Sequence, residues 1–209
     1  MDIFICLLLI SCLFFVSRFN LRYIASSFYP LAAVLFFPGT VLHEMAHVVM
    51  AYALFLHVKE IRLVPEVEKN RIVFGYVRFE HKDVFRSFLV GVAPFFAGIA
   101  FLLVVPSISY LLPNNLTKDI LLGYGIFTVT TMMFFSGSDL EHGYIVIPFL
   151  FALFIFLVYV LKLYVGVEFI NTGYSLLNRV AQSIRGYLFF SLILHVGLII
   201  LLRRIYIRG

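Results

Sequence analysis

The sequence predicts an all-α, polytopic membrane protein of about six transmembrane helices, with a small β-hairpin between the second and the third. Of its 209 residues, 63% are hydrophobic and only 13% are charged, whereas about a quarter of the residues in a soluble domain are charged. Six apolar runs cover most of the chain, and a single polar segment of some length interrupts them. No linker or internal repeat is evident, so we expect one membrane-embedded domain over residues 1–209.

The six apolar runs are the predicted helices, because a bilayer core about 30 Å thick needs roughly 20 apolar residues of helix. They cover residues 3–17, 29–57, 85–112, 119–136, 144–165 and 187–202. Met1 and Asp2 give the first run no basic start, so we expect a transmembrane helix there and not a cleaved signal. Cys6 and Cys12 both lie in this run, where they can form neither a disulfide framework nor a thiolate metal site.

The polar segment at about 58–80 predicts the β-hairpin, at the membrane surface. Residues 59–64 and 71–79 alternate in polarity or are rich in β-branched and aromatic side chains, and Pro65 and a polar turn separate them. With six spans, the hairpin and both termini share one side. That side carries ten of the 16 Lys and Arg, seven of them in residues 58–86, so by the positive-inside rule we expect it in the cytosol, at the cell membrane.

The net charge of +5 is explained by this bias toward the cytosolic side and by attraction to anionic lipid. We therefore expect the lipid bilayer as a partner and no nucleic acid. The arginines near the C-terminal end, Arg203, Arg204 and Arg208, are typical of an anchor on lipid headgroups.

The motif His43-Glu44-Met-Ala-His47 lies within the second apolar run. On a helix the two histidines share one face and are about 6 Å apart along the axis, so both imidazoles can bind one metal ion. Glu44 falls about 100° round the helix from His43, which suits a general base beside the ion. A buried charge at mid-bilayer costs about 2.5–3.5 kcal/mol, so we interpret the cluster as functional.

A third metal ligand has to come from another element. His57 is about 15 Å along the helix from His47, which is too far for both to share an ion. Asp139 is the best candidate, because it lies in a polar turn directly after the fourth run and at a depth compatible with that of His47. Glu141 and His142 remain open as alternatives for the same role.

Together these features resemble the site-2 protease family of intramembrane zinc metalloproteases. The resemblance covers about residues 29–145: the motif in a hydrophobic helix, a β-hairpin next, a small-residue stretch at 91–98 and an Asp after a later helix. It implies Zn²⁺ as cofactor and hydrolysis of peptide bonds in membrane-spanning or membrane-associated proteins. The implied roles are zinc ligation by His43, His47 and Asp139, and general-base catalysis by Glu44.

This chain departs from the family's usual third-ligand pattern, Asn-x-x-Pro-x-x-x-Leu-Asp-Gly. Thr131, Phe134 and Ser138 stand at the Asn, Pro and Leu positions, and Leu140 follows Asp139. An extended substrate segment could pair with the hairpin edge at 71–79. The small residues Gly91, Ala93, Ala97 and Gly98 indicate close approach of helices and no chemistry.

Two alternatives to this interpretation stay open. One is a membrane zinc protease that uses the same motif with a distant glutamate, Glu168, as third ligand. The other is a membrane protein that binds a metal without catalysis. Of the other histidines, we expect His195 to be a packed or hydrogen-bonded helix residue and His81 to be solvated. The oligomeric state is not indicated.

Overall fold

The computed structural model describes residues 2–27, 29–68, 71–80, 83–134, 136, 139, 143–164 and 167–208. Within them the helices are α1 Asp2–Ser27, α2 Tyr29–Ala53, α3 Val84–Leu111, α4 Leu116–Met132, α5 Gly143–Tyr164 and α6 Val167–Arg208. Four short strands lie between α2 and α3: β1 Val58–Arg62, β2 Glu66–Glu68, β3 Arg71–Val73 and β4 Tyr76–Phe79. The predicted all-α architecture, with a hairpin between the second and third helices, is confirmed.

Four of the six helices are long and apolar enough to cross a membrane. The candidate membrane spans in these helices are Asp2–Ala25, Pro30–Ala53, Val84–Leu111 and Ile170–Arg204. α4 has 17 residues and is therefore about 25 Å long, slightly less than a bilayer core. α5 contains a shorter apolar stretch, Val146–Val160, and most of its apolar side chains are exposed, which suits contact with lipid.

Two helices are longer than their apolar runs predict. α1 continues to Ser27 instead of ending near residue 17, and α6 begins at Val167, 20 residues before the predicted run at 187. Neither extension contains a proline. Polar residues alone therefore do not end these helices, and Arg18 lies inside α1 and not at its boundary.

A hydrogen bond from α4 satisfies a backbone carbonyl of α2 that has no donor within α2. Pro38 lies inside α2 and has no N–H, so the carbonyl of Val34 lacks its intrahelical donor. The Tyr124 hydroxyl of α4 donates to that carbonyl, with the two oxygen atoms 3.1 Å apart. The bond satisfies a polar group that would be costly to leave unpaired in hydrocarbon.

The hairpin is bent into two short pairs. β1 pairs with β4 and β2 pairs with β3, both antiparallel. The predicted strand at 71–79 is thus interrupted at Phe74 and Gly75. Because the Phe74 ring packs against Phe36 of α2, with centroids 6.3 Å apart, the bend folds back onto the helix that carries the motif.

A buried polar cluster joins α1, α4 and α6. His195 of α6 is fully buried. Its Nδ1 lies 2.8 Å from the Ser191 carbonyl oxygen and its Nε2 lies 3.0 Å from the Thr131 hydroxyl. The Asn20 side-chain amide donates to the His195 carbonyl, at 3.0 Å. The prediction that His195 is a packed, hydrogen-bonded helix residue is confirmed.

α1 and α6 pack side by side in the same direction. Asp2 accepts a hydrogen bond from Gln182 at 3.1 Å, the Cys6 thiol donates to the Ala181 carbonyl at 3.1 Å, and Asn20 reaches His195. Contacts near the start of α1 are thus made with the middle of α6, and later ones with residues nearer its end. The last residues of both helices lie at the same end of the molecule.

Candidate metal centre

The two motif histidines are oriented by backbone carbonyls of neighbouring helices. His43 Nδ1 lies 2.6 Å from the Met132 carbonyl oxygen of α4, and His47 Nδ1 lies 2.8 Å from the Val90 carbonyl oxygen of α3. A carbonyl oxygen can only accept, so each Nδ1 carries the proton and donates it. Each Nε2 is then left with a lone pair, the arrangement that protein histidines use to bind metals.

Asp139 lies opposite these two nitrogen atoms. The Nε2 atoms are 3.2 Å apart. Asp139 Oδ2 is 3.6 Å from His43 Nε2, and Oδ1 is 3.5 Å from His47 Nε2. Zinc with ligands at about 2.0 Å in a tetrahedron separates neighbouring ligand atoms by about 3.3 Å. Each nitrogen thus lies near this distance from the other nitrogen and from one carboxylate oxygen. One ligand atom from each of the three residues lies within 4.8 Å of the other two, so the group could hold a metal ion.

The electrostatics favour a cation at this point. Three atoms with lone pairs face one another, and none of them carries a proton in the orientation that the carbonyls impose. His47 is buried, while His43 and Asp139 are partly buried. Without a cation the nitrogen lone pairs and the carboxylate would repel one another with little water to screen them.

The other candidate ligands either do not belong to this group or lie outside the described residues. Among the described residues, the group of His43, His47 and Asp139 is the one set of three or more that could hold an ion. His57 and Glu168 are exposed and do not belong to it. Glu141, His142 and His81 lie outside the described residues.

Gly91 of α3 has no side chain, and this lets the turn that carries Asp139 approach the helix closely. A Cβ atom on Gly91 would lie 1.9 Å from the Asp139 carbonyl oxygen. On Gly98, one of the other predicted small residues, a Cβ would lie 2.5 Å from the Met133 Cβ. Close approach at these glycines is confirmed, but at Gly91 the approaching element is the ligand-bearing turn and not a helix.

The turn itself is held by Ser136. The Ser136 backbone N–H donates to Asp139 Oδ2, and the Asp139 N–H donates to the Ser136 hydroxyl at 3.2 Å. This pair of bonds is the kind of local side-chain turn that serine and aspartate favour. It orients the carboxylate toward the two histidines.

Glu44 lies beside the three candidate metal ligands and does not belong to that group. Its side chain is only 7% exposed and lines the same cavity as His43, His47 and Asp139. A Cβ atom on Gly75, at the bend of the hairpin, would lie 2.8 Å from Glu44 Cγ. The hairpin bend thus packs directly against this carboxylate side chain.

The cavity at this centre has a volume of about 390 Å³, within the range of small-molecule and cofactor sites. It lies between α1, α2, α3, α4, the Asp139 turn and the hairpin. Tyr76, Val77 and Phe79 of β4 contribute to its wall. Comparisons with protein-family models, with curated proteins and with solved structures found no match.

Two further residues of the cavity wall were missed in the sequence analysis as members of the site. Arg18 of α1 and Thr131 of α4 both line the cavity. The signal for Arg18 was present, since an ionisable residue within an apolar helix indicates a functional position. It went unnoticed because the first run was taken to end at residue 17. Thr131 was noted only as the residue at the Asn position of the third-ligand pattern, and no role was assigned to it.

Proposed function

We propose that this protein is an intramembrane zinc metalloprotease, similar to the site-2 protease family, that hydrolyses peptide bonds of membrane-spanning or membrane-associated proteins. One observation carries the proposal. His43 Nε2, His47 Nε2 and the Asp139 carboxylate converge while both Nδ1 atoms are held by carbonyls, and a buried glutamate lies next to them. Ion binding alone does not require that glutamate.

The donor set supports zinc as the ion. Two imidazole nitrogens and one carboxylate oxygen are three protein ligands, the number that catalytic zinc sites use. His43, His47 and Asp139 would hold the ion. When bound, zinc activates a water molecule and polarises a substrate carbonyl.

Glu44 is the proton carrier of the proposed reaction. Its carboxylate would accept a proton from the attacking water and deliver it to the nitrogen of the leaving peptide, as general-base and general-acid catalysis require. The hairpin bend at Gly75 limits where the Glu44 side chain can lie. Restricted motion keeps the carboxylate next to the reacting peptide bond.

The hairpin supports a way to present the substrate. A peptide bond inside a helix is shielded by its hydrogen bonds, so the substrate segment must be extended before attack. β4 pairs with β1 along one edge, and Tyr76, Val77 and Phe79 border the cavity. An extended segment that adds to β4 as a further strand would be placed beside Glu44.

The proposed orientation keeps the hairpin and the start of α1 in the cytosol. α1 and α2 are joined by a single residue, so two crossings would place the hairpin and the start of α1 on one side. The Lys and Arg of residues 58–86 favour the cytosol for that side. Parallel packing of α1 and α6 favours the opposite side for the end of α6, which differs from our expectation that both termini share a side.

The test is zinc content and cleavage of a transmembrane model substrate by the purified full chain in detergent. We expect Glu44→Gln to keep stoichiometric zinc and abolish cleavage, and Asp139→Ala to lose zinc. Glu168→Gln is the matched control and should change neither. Zinc binding without any cleavage by the wild type would favour a non-catalytic metal protein, and loss of zinc in Glu168→Gln would favour the distant-glutamate alternative.

A further inference from the structure

Arg18 is a charged side chain within the candidate membrane span of α1, which also contains Arg22. The candidate membrane span Asp2–Ala25 contains an 18-residue stretch with a mean hydropathy of 2.2, and Arg18 is partly buried. Placing an arginine within the hydrocarbon of a bilayer costs several kcal/mol, so such residues usually have partners and a function. One partner of Arg18, the Phe134 carbonyl, lies at the candidate metal centre.

The guanidinium group binds the chain where it leaves α4. Arg18 Nη2 donates to the Phe134 carbonyl oxygen at 3.1 Å, directly after the last residues of the helix. The guanidinium carbon lies 5.8 Å from the centre of the Phe14 ring, which itself meets the Phe134 ring edge-on at 5.4 Å. A cation at the C-terminal end of a helix is also favoured by the helix dipole.

This contact bears directly on the third metal ligand. Phe134 is two residues before Ser136 and five before Asp139, so its carbonyl marks where the ligand-bearing turn starts. Two residues earlier, at the last residue of α4, the Met132 carbonyl accepts from His43. The beginning of the turn is therefore held by one side chain from α1 and one from α2, and Arg18 and Asp139 line the same cavity.

We propose that Arg18 is a positioning residue for Asp139: by binding the Phe134 carbonyl it determines where the turn leaves α4, and so keeps the carboxylate within reach of a metal bound to His43 and His47. The inference rests on the proposed function, since it assumes that the three residues bind an ion. Arg18 does not touch the ion or the substrate in this role. Residues that orient ligands in this way typically contribute a factor of 10–100 to metal affinity.

Co²⁺ is the probe for this role, because its visible absorption reports the number and geometry of its ligands. The full chain in detergent is titrated with Co²⁺ for the wild type, Arg18→Met, Asp139→Ala and the double variant. We expect Arg18→Met to bind Co²⁺ at least about tenfold more weakly, with a spectrum shifted toward that of Asp139→Ala. In the Asp139→Ala background the same substitution should change affinity less than twofold, because an effect that acts through Asp139 vanishes when Asp139 is removed.

Arg22→Met is the matched control, since Arg22 is an exposed arginine one turn further along α1. It should leave affinity and spectrum unchanged. Arg18→Lys keeps the positive charge and N–H donors and should recover part of the Co²⁺ affinity. It replaces Arg18→Met in the titration if Arg18→Met does not fold.

Wild-type affinity and spectrum in both Arg18 variants would overturn the inference. So would a loss of affinity that is equally large in the Asp139→Ala background, because it would show a general structural role. If the wild type binds no Co²⁺, the metal centre and this inference fail together. If the wild type binds Co²⁺ and cleaves substrate while the Arg18 variants match it, only the inference fails.

Discussion

Gly91→Ala tests the link between helix packing and the third metal ligand. The added Cβ would lie 1.9 Å from the Asp139 carbonyl oxygen, whereas ordinary van der Waals contact begins at 3.4 Å. The atoms must therefore separate by about 1.5 Å, since 3.4 minus 1.9 is 1.5. The obstacle is backbone, so no side-chain rotation can relieve it.

A shift of this size matters because metal–ligand distances tolerate only about 0.2 Å. If the turn moves, Asp139 leaves the ligand set and two histidines remain. We expect the zinc affinity of Gly91→Ala to fall at least about tenfold, toward that of Asp139→Ala, with cleavage falling in parallel. If α3 moves instead, the Val90 carbonyl that orients His47 moves with it, and the zinc affinity falls because His47 is no longer held in place.

The assay is competition for zinc between the purified protein and a chelator of known affinity. Gly125→Ala is the control for the added methyl group, because its Cβ would lie 3.4 Å from Phe101 Cζ, an ordinary contact with a side chain, and touches no candidate ligand. It should leave zinc affinity unchanged. Wild-type zinc affinity in Gly91→Ala would refute the packing argument.

Three other predictions concern the Tyr124 hydrogen bond, the hairpin bend at Gly75 and the direction of α6. Tyr124→Phe removes the donor to the Val34 carbonyl freed by Pro38 and should lower stability by about 1–3 kcal/mol without changing zinc affinity; an unchanged unfolding midpoint in detergent would contradict it. Gly75→Ala places a Cβ at 2.8 Å from Glu44 Cγ, so we expect reduced cleavage with full zinc content, and zinc loss would instead mean that the hairpin supports the ligands. In sealed vesicles, single cysteines at the start of α1 and the end of α6, in a chain without Cys6 and Cys12, should differ in labelling by a membrane-impermeant reagent; equal labelling would contradict the parallel crossing of α1 and α6.

Much of the fold and two of the three candidate metal ligands, His43 and His47, could be predicted from local sequence. The apolar runs indicated where helices lie, and the polar segment indicated the hairpin, because both depend on short-range patterns of residues. The spacing of His43 and His47 placed both imidazoles on one helix face, since 3.6 residues per turn determines that geometry. For the same reason Glu44 was expected beside the ion and not on it.

Other features depended on contacts between residues distant in sequence. Asp139 could only be ranked above its neighbours, because its approach to the histidines requires the space at Gly91 and the carbonyl of Met132. Arg18 was overlooked because an apolar run does not show where a helix continues through a charged residue whose partner, the Phe134 carbonyl, follows a distant helix.

That α6 runs parallel to α1 was also not predicted from the sequence. That direction depends on how many helices cross the bilayer and not on the composition of either helix. Sequence alone determined the elements whose geometry is set within a few residues: the helices, the hairpin and the pairing of His43 with His47. Tertiary structure decided which distant groups meet them, because only packing brings α1, α3 and the turn after α4 to the same point beside α2.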